Sequence, residues 1–314
     1  MNLRHLGLFA AALLSCANGA KAANEAETLA ALARQDFRVA SVGFRLAVAN
    51  VDRCSTQMPA TGLLLHSIAQ YQGEWRKVAQ DQFGEIDLVS IEGVVAQSPA
   101  AIADLRRGDA ILAINGSVVA TTPDAAAKPT AFRDRAENSL VTLPATMRIA
   151  LSIRRDGATS EVALTPVAAC LTRFEVVAGS GRFARSDGRL IQVGQALAAD
   201  ASDADLAVIV AHELAHSILG HRSRLVALEQ AKDRSTRKKY DAMARQFESE
   251  ADRLSVHLLA AAGFDPRSAP AFMRRSGKQF DGHVRKGSLH AKAEQRASEM
   301  DDEIALMTGA KSSP

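Results

Sequence analysis

The residues best suited to chemistry lie in the run His212-Glu213-Leu214-Ala215-His216. Successive residues of an α-helix are rotated by about 100°, so side chains four apart lie within about 40° of each other on one face. Two imidazoles placed in this way can bind one zinc ion, and the carboxylate of Glu213 can reach a water on that ion. Zinc lowers the pKa of such a water to about 7, so the carboxylate can accept its proton during attack on a carbonyl. The run predicts metal-assisted hydrolysis, with His212 and His216 as ligands and Glu213 as general base.

A polar face on an exposed helix is the alternative interpretation of this run. The neighbouring residues are mostly apolar, among them Val208, Ile209 and Ile218. A helix of this composition is expected to be buried, and polar side chains in its middle then need a partner because unpaired burial is costly. A bound metal ion would be that partner, so the pattern favours a metal site.

Catalytic zinc usually has three protein ligands and a water, so a third ligand must lie elsewhere. His221 is near in sequence, but nine residues after His212 it would lie about half a turn around the helix, and we exclude it. A later helix offers Glu248 and Asp252, four residues apart on one face, while Glu250 lies on another face. One of the first two carboxylates can bind zinc while the other holds a ligand histidine by its second nitrogen.

Together these motifs resemble a known family. The runs H-E-x-x-H at 212–216, E-x-x-A-D at 248–252 and A-G-F-D-P at 262–266 are similar to those of metallopeptidase family forty-eight, which includes the HtpX, BepA, Oma-type and CAAX prenyl proteases. The resemblance covers 171–306 and implies a mainly helical gluzincin-type fold with a small edge β-sheet. It also implies that the strand Arg189–Val193 is the edge that pairs with a substrate backbone.

The same resemblance implies roles for individual residues. It implies one Zn²⁺ per chain, with Glu248 as the third ligand and Asp252 as a supporting residue. His290 and Arg296 keep the spacing of the family's H-P-x-x-x-x-R motif, although Ala291 replaces its proline. The resemblance implies that His290 and Arg296 support the active site.

A second resemblance covers the middle of the chain, where short predicted strands alternate with turns. Ser98-Pro99 can cap a short helix, and Asn115-Gly116 and Asp156-Gly157 are typical of tight hairpins. The order S-P-A-A, L-x-x-G-D, I-L-x-I-N-G resembles a PDZ domain of the bacterial protease-associated kind; an unrelated small β-domain is the alternative. PDZ domains bind an extended peptide at a sheet edge, so the resemblance implies a polypeptide-binding groove near Phe83 and Gly84.

The N-terminus has the features of an export signal. Leu6–Cys16 is an apolar run too short to span a bilayer, and Ala20-Lys21-Ala22 predicts cleavage after Ala22. A lipoprotein anchored through Cys16 is the alternative. Beyond this segment we expect no transmembrane span. A periplasmic or other extracytoplasmic location would allow a disulfide between Cys54 and Cys170, with two unpaired buried thiols as the alternative.

Composition argues against a nucleic-acid partner. Only 4% of the residues are aromatic, which disfavours a base-stacking surface. Without the predicted signal the chain has 36 basic and 35 acidic residues, so its charge does not indicate a polyanionic partner.

We therefore predict an α+β protein with five segments. They are a signal peptide (1–22), an N-terminal helical segment (23–75), an inserted, mostly-β PDZ-like domain (76–168), a zinc metallopeptidase domain (171–307) and a frayed tail (308–314). The predicted function is a zinc metalloendopeptidase acting on unfolded or misfolded envelope proteins. An envelope chaperone-like or peptide-binding protein with a structural or latent zinc site is the alternative.

Overall fold

The computed structural model describes residues 6–84, 89–119, 128–229, 234–281 and 292–309, with side chains from residue 24 onward and outside 227–238 and 277–281. The helices in these ranges are α1 (Leu6–Ala49), α2 (Glu74–Phe83), α3 (Pro99–Ile102), α4 (Ala131–Val141), α5 (Gln195–Asp200), α6 (Asp203–Ile218), α7 (His221–Glu229), α8 (Arg234–Ala261), α9 (Ser268–Asp281) and α10 (Ala293–Thr308). The strands are β1 (Gln57–Ala60), β2 (Leu63–His66), β3 (Ser90–Val94), β4 (Ala110–Ile114), β5 (Ser117–Val118), β6 (Ile149–Arg155), β7 (Ala158–Leu164), β8 (Val167–Cys170), β9 (Arg173–Val177), β10 (Ala184–Ser186) and β11 (Leu190–Gly194).

Helix α1 forms the first part of the predicted N-terminal helical segment (23–75), up to Ala49, and begins earlier, at Leu6. Its buried face repeats at helical spacing through Val39, Val42 and Leu46, which pack into the core shared with α6 and α8. Asn50 follows the helix and donates from its amide to the carbonyls of Leu46, at 3.0 Å, and Leu258, at 3.1 Å. These bonds join the end of α1 to α8. Within the described residues, none of the helices combines the length and apolarity needed to cross a membrane.

The middle of the chain folds as an inserted sheet with strand order β2-β3-β4-β6-β7 and with β5 paired to β4. Two tight turns shape it. Asn115 and Gly116 have φ values of 49° and 76°, and Asp156 and Gly157 have values of 50° and 80°. Two successive positive φ values match the right-handed twist of a two-residue hairpin. Both predicted turns are confirmed.

The predicted beginning of this domain at residue 76 is wrong. The predicted helical segment (23–75) contains β2, which is the first strand of the sheet. Leu64, Leu65 and His66 are all buried, so the strand lacks the alternation of apolar and polar residues that distinguishes a half-exposed strand. Helix α4 was also missed, in a region predicted to contain strands and turns.

The two ends of the insert are held together. Strand β1 pairs with β8 in antiparallel register, from Gln57 opposite Cys170 to Ala60 opposite Val167. A disulfide joins Cys54 to Cys170, whose Cα atoms are 5.4 Å apart, across 116 positions of sequence. The insert therefore leaves and rejoins the rest of the chain at one place.

Paired charges also connect the insert to the remaining structure. Arg133 of α4 lies 3.0 Å from Glu175 of β9, and Arg173 of β9 lies 2.8 Å from Glu137 of α4. The backbone N–H of Val176 donates to Asp36 of α1 at 2.6 Å. Helix α4, strand β9 and helix α1 therefore meet at a cluster of charged side chains.

The second sheet has three strands in the order β10-β11-β9, with β11 parallel to β9 and antiparallel to β10. The prediction that Arg189–Val193 forms the edge strand is wrong, because β11 lies in the centre of this sheet. The edge next to α6 is β10, a strand of three residues that is too short for its pattern to be recognised in the sequence.

Candidate metal centre

Helix α6 begins at a capped first turn and is anchored in the core. The hydroxyl of Ser202 accepts a hydrogen bond from the N–H of Asp205 at 3.1 Å, which caps the first turn. Leu206, Val210 and Leu214 are fully buried on the face that packs into the core. The helix is therefore fixed in rotation, and the side chains of the H-E-x-x-H run lie where α6 meets α8.

Three of the predicted side chains converge with the spacing that a zinc site requires. The Nε2 atoms of His212 and His216 are 3.1 Å apart. Glu248 of α8 approaches them with carboxylate oxygens 3.4 Å from Nε2 of His212 and 3.6 Å from Nε2 of His216. Tetrahedral zinc with ligand bonds of about 2.0–2.1 Å places neighbouring ligand atoms about 3.3–3.4 Å apart. The donor set and its spacing fit such an ion, and these three form a group able to hold a metal.

The second nitrogen of His212 is held by a buried carboxylate. Its Nδ1 lies 3.0 Å from Oδ1 of Asp252, and Asp252 is bonded in turn by the guanidinium of Arg296. Burial alone would lower the pKa of His212, but hydrogen bonds to Asp252 and Glu248 outweigh it and raise the pKa to about 10. A metal ion at Nε2 would displace one proton from this ring, whereas the proton on Nδ1 would stay on the ring and be donated to Asp252.

The second nitrogen of His216 is held by another histidine. Nδ1 of His216 lies 2.9 Å from Nδ1 of His221, and Nε2 of His221 lies 3.1 Å from Oε2 of Glu250. Burial, together with the neighbouring His212, lowers the pKa of His216 to about 3, so its ring is neutral, as a ligand must be.

His221 reaches this position because the helix does not continue through it. Helix α6 ends at Ile218, and Gly220, with a φ of 64°, turns the chain into α7. The sequence argument against His221 assumed a continuous helix and therefore placed it on the far side. The glycine next to His221 was the signal of a break that could have corrected this argument.

A cavity of about 490 Å³ opens beside the three candidate ligands and is lined by Glu213. Part of its lining is apolar and comes from Ile209, Phe272 and Met300, while β10 forms another wall. The hydroxyls of Ser186 in β10 and Ser217 in α6 are 2.7 Å apart, which joins this wall to the turn that bears His216.

Strand β10 presents alternate backbone groups to the side away from β11. The carbonyl of Phe183 accepts from Gly194 at 2.8 Å, and the N–H of Asp187 donates to Leu190 at 3.2 Å. In an antiparallel pair, alternate residues direct both backbone groups at the partner strand. Ala184 and Ser186 therefore direct theirs away from β11.

The other predicted residues lie elsewhere. His290 is outside the described residues. Phe83 is buried at the C-terminal end of α2, with the guanidinium of Arg107 4.6 Å above its ring, and Gly84 ends that helix. Neither residue belongs to a strand, whereas β2, which follows Gly62, is an edge of the inserted sheet. The ring of Phe83 nevertheless lies against that of His66 in β2, with centroids 5.2 Å apart, so Phe83 is next to that edge strand. A peptide groove at Phe83 and Gly84 stays a prediction.

Part of the inserted sheet matches a known family, since residues 90–128 match the PDZ domain. This confirms the predicted PDZ module. Among solved structures, an HtrA-type protease, AlgW with decapeptide, aligns at 18% sequence identity and a TM-score of 0.27, covering 36% of this chain and 30% of that chain. The alignment thus spans less than a third of that protein. The curated proteins contain no match to the chain.

Proposed function

We propose that this protein is an exported zinc-dependent endopeptidase. The observation that supports this most is the convergence of His212, His216 and Glu248, with ligand atoms 3.1–3.6 Å apart. The disulfide between Cys54 and Cys170 agrees with an extracytoplasmic location, where such bonds persist.

Each residue of the site has a role in this proposal. A zinc ion held by the three ligands would supply a Lewis acid and an acidified water. Glu213 accepts the proton of the attacking water and passes it to the leaving amine. Asp252, held by Arg296, keeps the ring of His212 oriented for binding.

The substrate in this proposal is an extended polypeptide. Its backbone pairs with the outward groups of β10 at Ala184 and Ser186, and this pairing places the scissile bond along α6. An apolar side chain of the substrate enters the cavity beside Ile209, Phe272 and Met300. Because backbone pairing is independent of side-chain identity, the enzyme accepts unfolded chains of varied sequence. The PDZ module binds polypeptide and delivers it to the site.

The decisive experiment uses the protein purified after export, with bound zinc counted and cleavage of unfolded casein followed in the presence and absence of a chelator. We expect one zinc per chain and cleavage that the chelator abolishes. Glu213→Gln should keep the zinc and lose at least about 10³-fold in rate, since it removes the proton acceptor. Glu303→Gln, on α10 and outside the lining of the cavity, is the matched control and should cleave normally.

The PDZ match favours one second candidate, a polypeptide-binding envelope protein with a structural zinc ion. It predicts one zinc per chain but no cleavage by either the natural chain or Glu213→Gln. Suppression of casein aggregation by both proteins would then support the binding role.

A further inference from the structure

We infer that His221 and Glu250 are positioning residues that hold His216 in the tautomer and orientation needed to bind the metal. This inference rests on the proposed zinc site and adds a second set of supporting residues, here called an arm, to it. The first arm is Asp252 with Arg296, which holds His212. The second arm comes from α7 and from the opposite face of α8.

The contacts of His216 and His221 allow one consistent arrangement of protons. Nε2 of His216 is directed at His212 and Glu248, so it is the metal-binding nitrogen and the ring proton is on Nδ1. That proton is donated to Nδ1 of His221, 2.9 Å away. The proton of His221 is then on Nε2, which donates to Glu250 at 3.1 Å. Each of the two N–H donors in this series of hydrogen bonds therefore faces an acceptor.

The arm is rigid enough to position a ligand. His221 is only 1% exposed, and its ring is stacked on Phe247 with centroids 4.0 Å apart and planes 2° apart. Glu250 accepts from the amide of Gln246 at 2.6 Å, and the guanidinium of Arg224 lies 3.7 Å from it. His221 is therefore fixed by packing, and Glu250 is fixed by further polar contacts.

Glu248 and Glu250 lie on one helix, so α8 supplies both a ligand and the end of this arm. Partners of ligand histidines typically contribute about 10–100-fold to metal affinity, because they fix the ring and its tautomer. We expect loss of the arm to weaken zinc binding by about that factor.

Two substitutions of His221 separate hydrogen bonding from packing. His221→Phe keeps an aromatic ring on Phe247 but removes the acceptor for His216. His221→Asn loses the ring but can place its side-chain oxygen near the former Nδ1. If His221 positions His216 by hydrogen bonding, zinc binding should be weakened in His221→Phe and nearly normal in His221→Asn. If His221 acts only by packing, the order of the two variants should be reversed.

The readout is the zinc dissociation constant of the apo-protein, measured by competition with a chromophoric chelator. The absorption spectrum of the cobalt(II)-substituted protein is a second readout and should change in His221→Phe. The matched control is His257→Phe, which removes the 2.8 Å pair between His257 on α8 and Glu303 on α10, away from the site. It should bind zinc as the natural protein does.

Glu250→Leu tests the other end of the arm at a partly exposed position, should His221→Phe fail to fold. We expect zinc binding several-fold weaker than in the natural protein. Unchanged zinc affinity in His221→Phe, or in Glu250→Leu if the former does not fold, overturns the inference. So does a natural protein that binds no zinc. Zinc binding without casein cleavage refutes the proposed function alone and leaves this comparison valid.

Discussion

Arg296 donates to both carboxylate oxygens of Asp252, from Nε at 2.6 Å and from Nη2 at 2.8 Å, and both side chains are almost completely buried. Burying an ion pair costs desolvation free energy, so such a pair is weak evidence for stability in itself. Its position is more informative, because Asp252 also contacts Nδ1 of His212. The pair thus fixes the ring of one proposed ligand.

Arg296→Leu should lower the free energy of unfolding of the apo-protein by about 3 kcal/mol, because it leaves a buried carboxylate without its main partner. Urea denaturation measures this change. The double variant Arg296→Leu with Asp252→Leu should regain part of the loss. Arg267→Leu breaks an exposed pair with Asp265 and is the control, expected to be neutral. A single variant as stable as the natural protein contradicts the expectation.

Ala184→Pro tests the edge strand. Proline at this position removes an N–H that is directed away from β11, so the β10–β11 pairing should survive. We expect kcat/KM for an unfolded substrate to fall at least about 10-fold with little change in Tm, since one substrate hydrogen bond is lost and the edge is blocked. Ala184→Val, which keeps the N–H, should retain most of the activity. Equal activity of the two variants would exclude backbone pairing at this residue.

The charged cluster between α1 and the insert predicts a stability that falls as pH rises. Burial raises the pKa of Asp36 to about 7 and that of Glu92, in β3, to about 8; Glu175 and Glu137 also raise the pKa of Asp36, and Asp36 raises that of Glu92. These increases in pKa are opposed in part by the N–H of Val176 at Asp36, by Arg133 at both carboxyls and by Arg107 at Glu92.

Because a raised folded pKa means that the fold retains protons which the unfolded chain has lost, unfolding becomes easier between about pH 4 and pH 8. Glu92→Gln removes one of these carboxyls. Its Tm should match that of the natural protein at pH 5 and exceed it at pH 8, in thermal scans at both values. Glu161→Gln, at an exposed position of β7, is the control. A Tm difference that does not vary with pH would contradict the assignment.

Replacement of both Cys54 and Cys170 by Ala should destabilise the protein by about 2–5 kcal/mol, since the bond closes a long loop of the unfolded chain. Urea denaturation with and without a reductant measures this. The natural protein should lose stability on reduction, and the variant should not respond. A response in the variant would show that the reductant acts elsewhere.

The sequence was most informative where a periodic pattern continued without a break. His212 and His216 share a face because α6 is continuous between them, and Glu248 and Asp252 share one for the same reason in α8. His221 was misplaced because the turn at Gly220 lies between it and the motif. Strand β10 was missed because three residues are too few to show a period, and β2 because it is buried on both faces. These features depend on tertiary contacts, which a local pattern does not contain.

The disulfide between Cys54 and Cys170 has a consequence for a protein proposed to cut polypeptides. Cleavage of a single peptide bond anywhere from residue 55 to residue 169 would divide the chain into two fragments that the disulfide still links. A molecule cleaved in the PDZ module by another copy would therefore stay covalently linked, with the metal-binding helices intact. A break in the insert would therefore not release the helices that carry His212, His216 and Glu248.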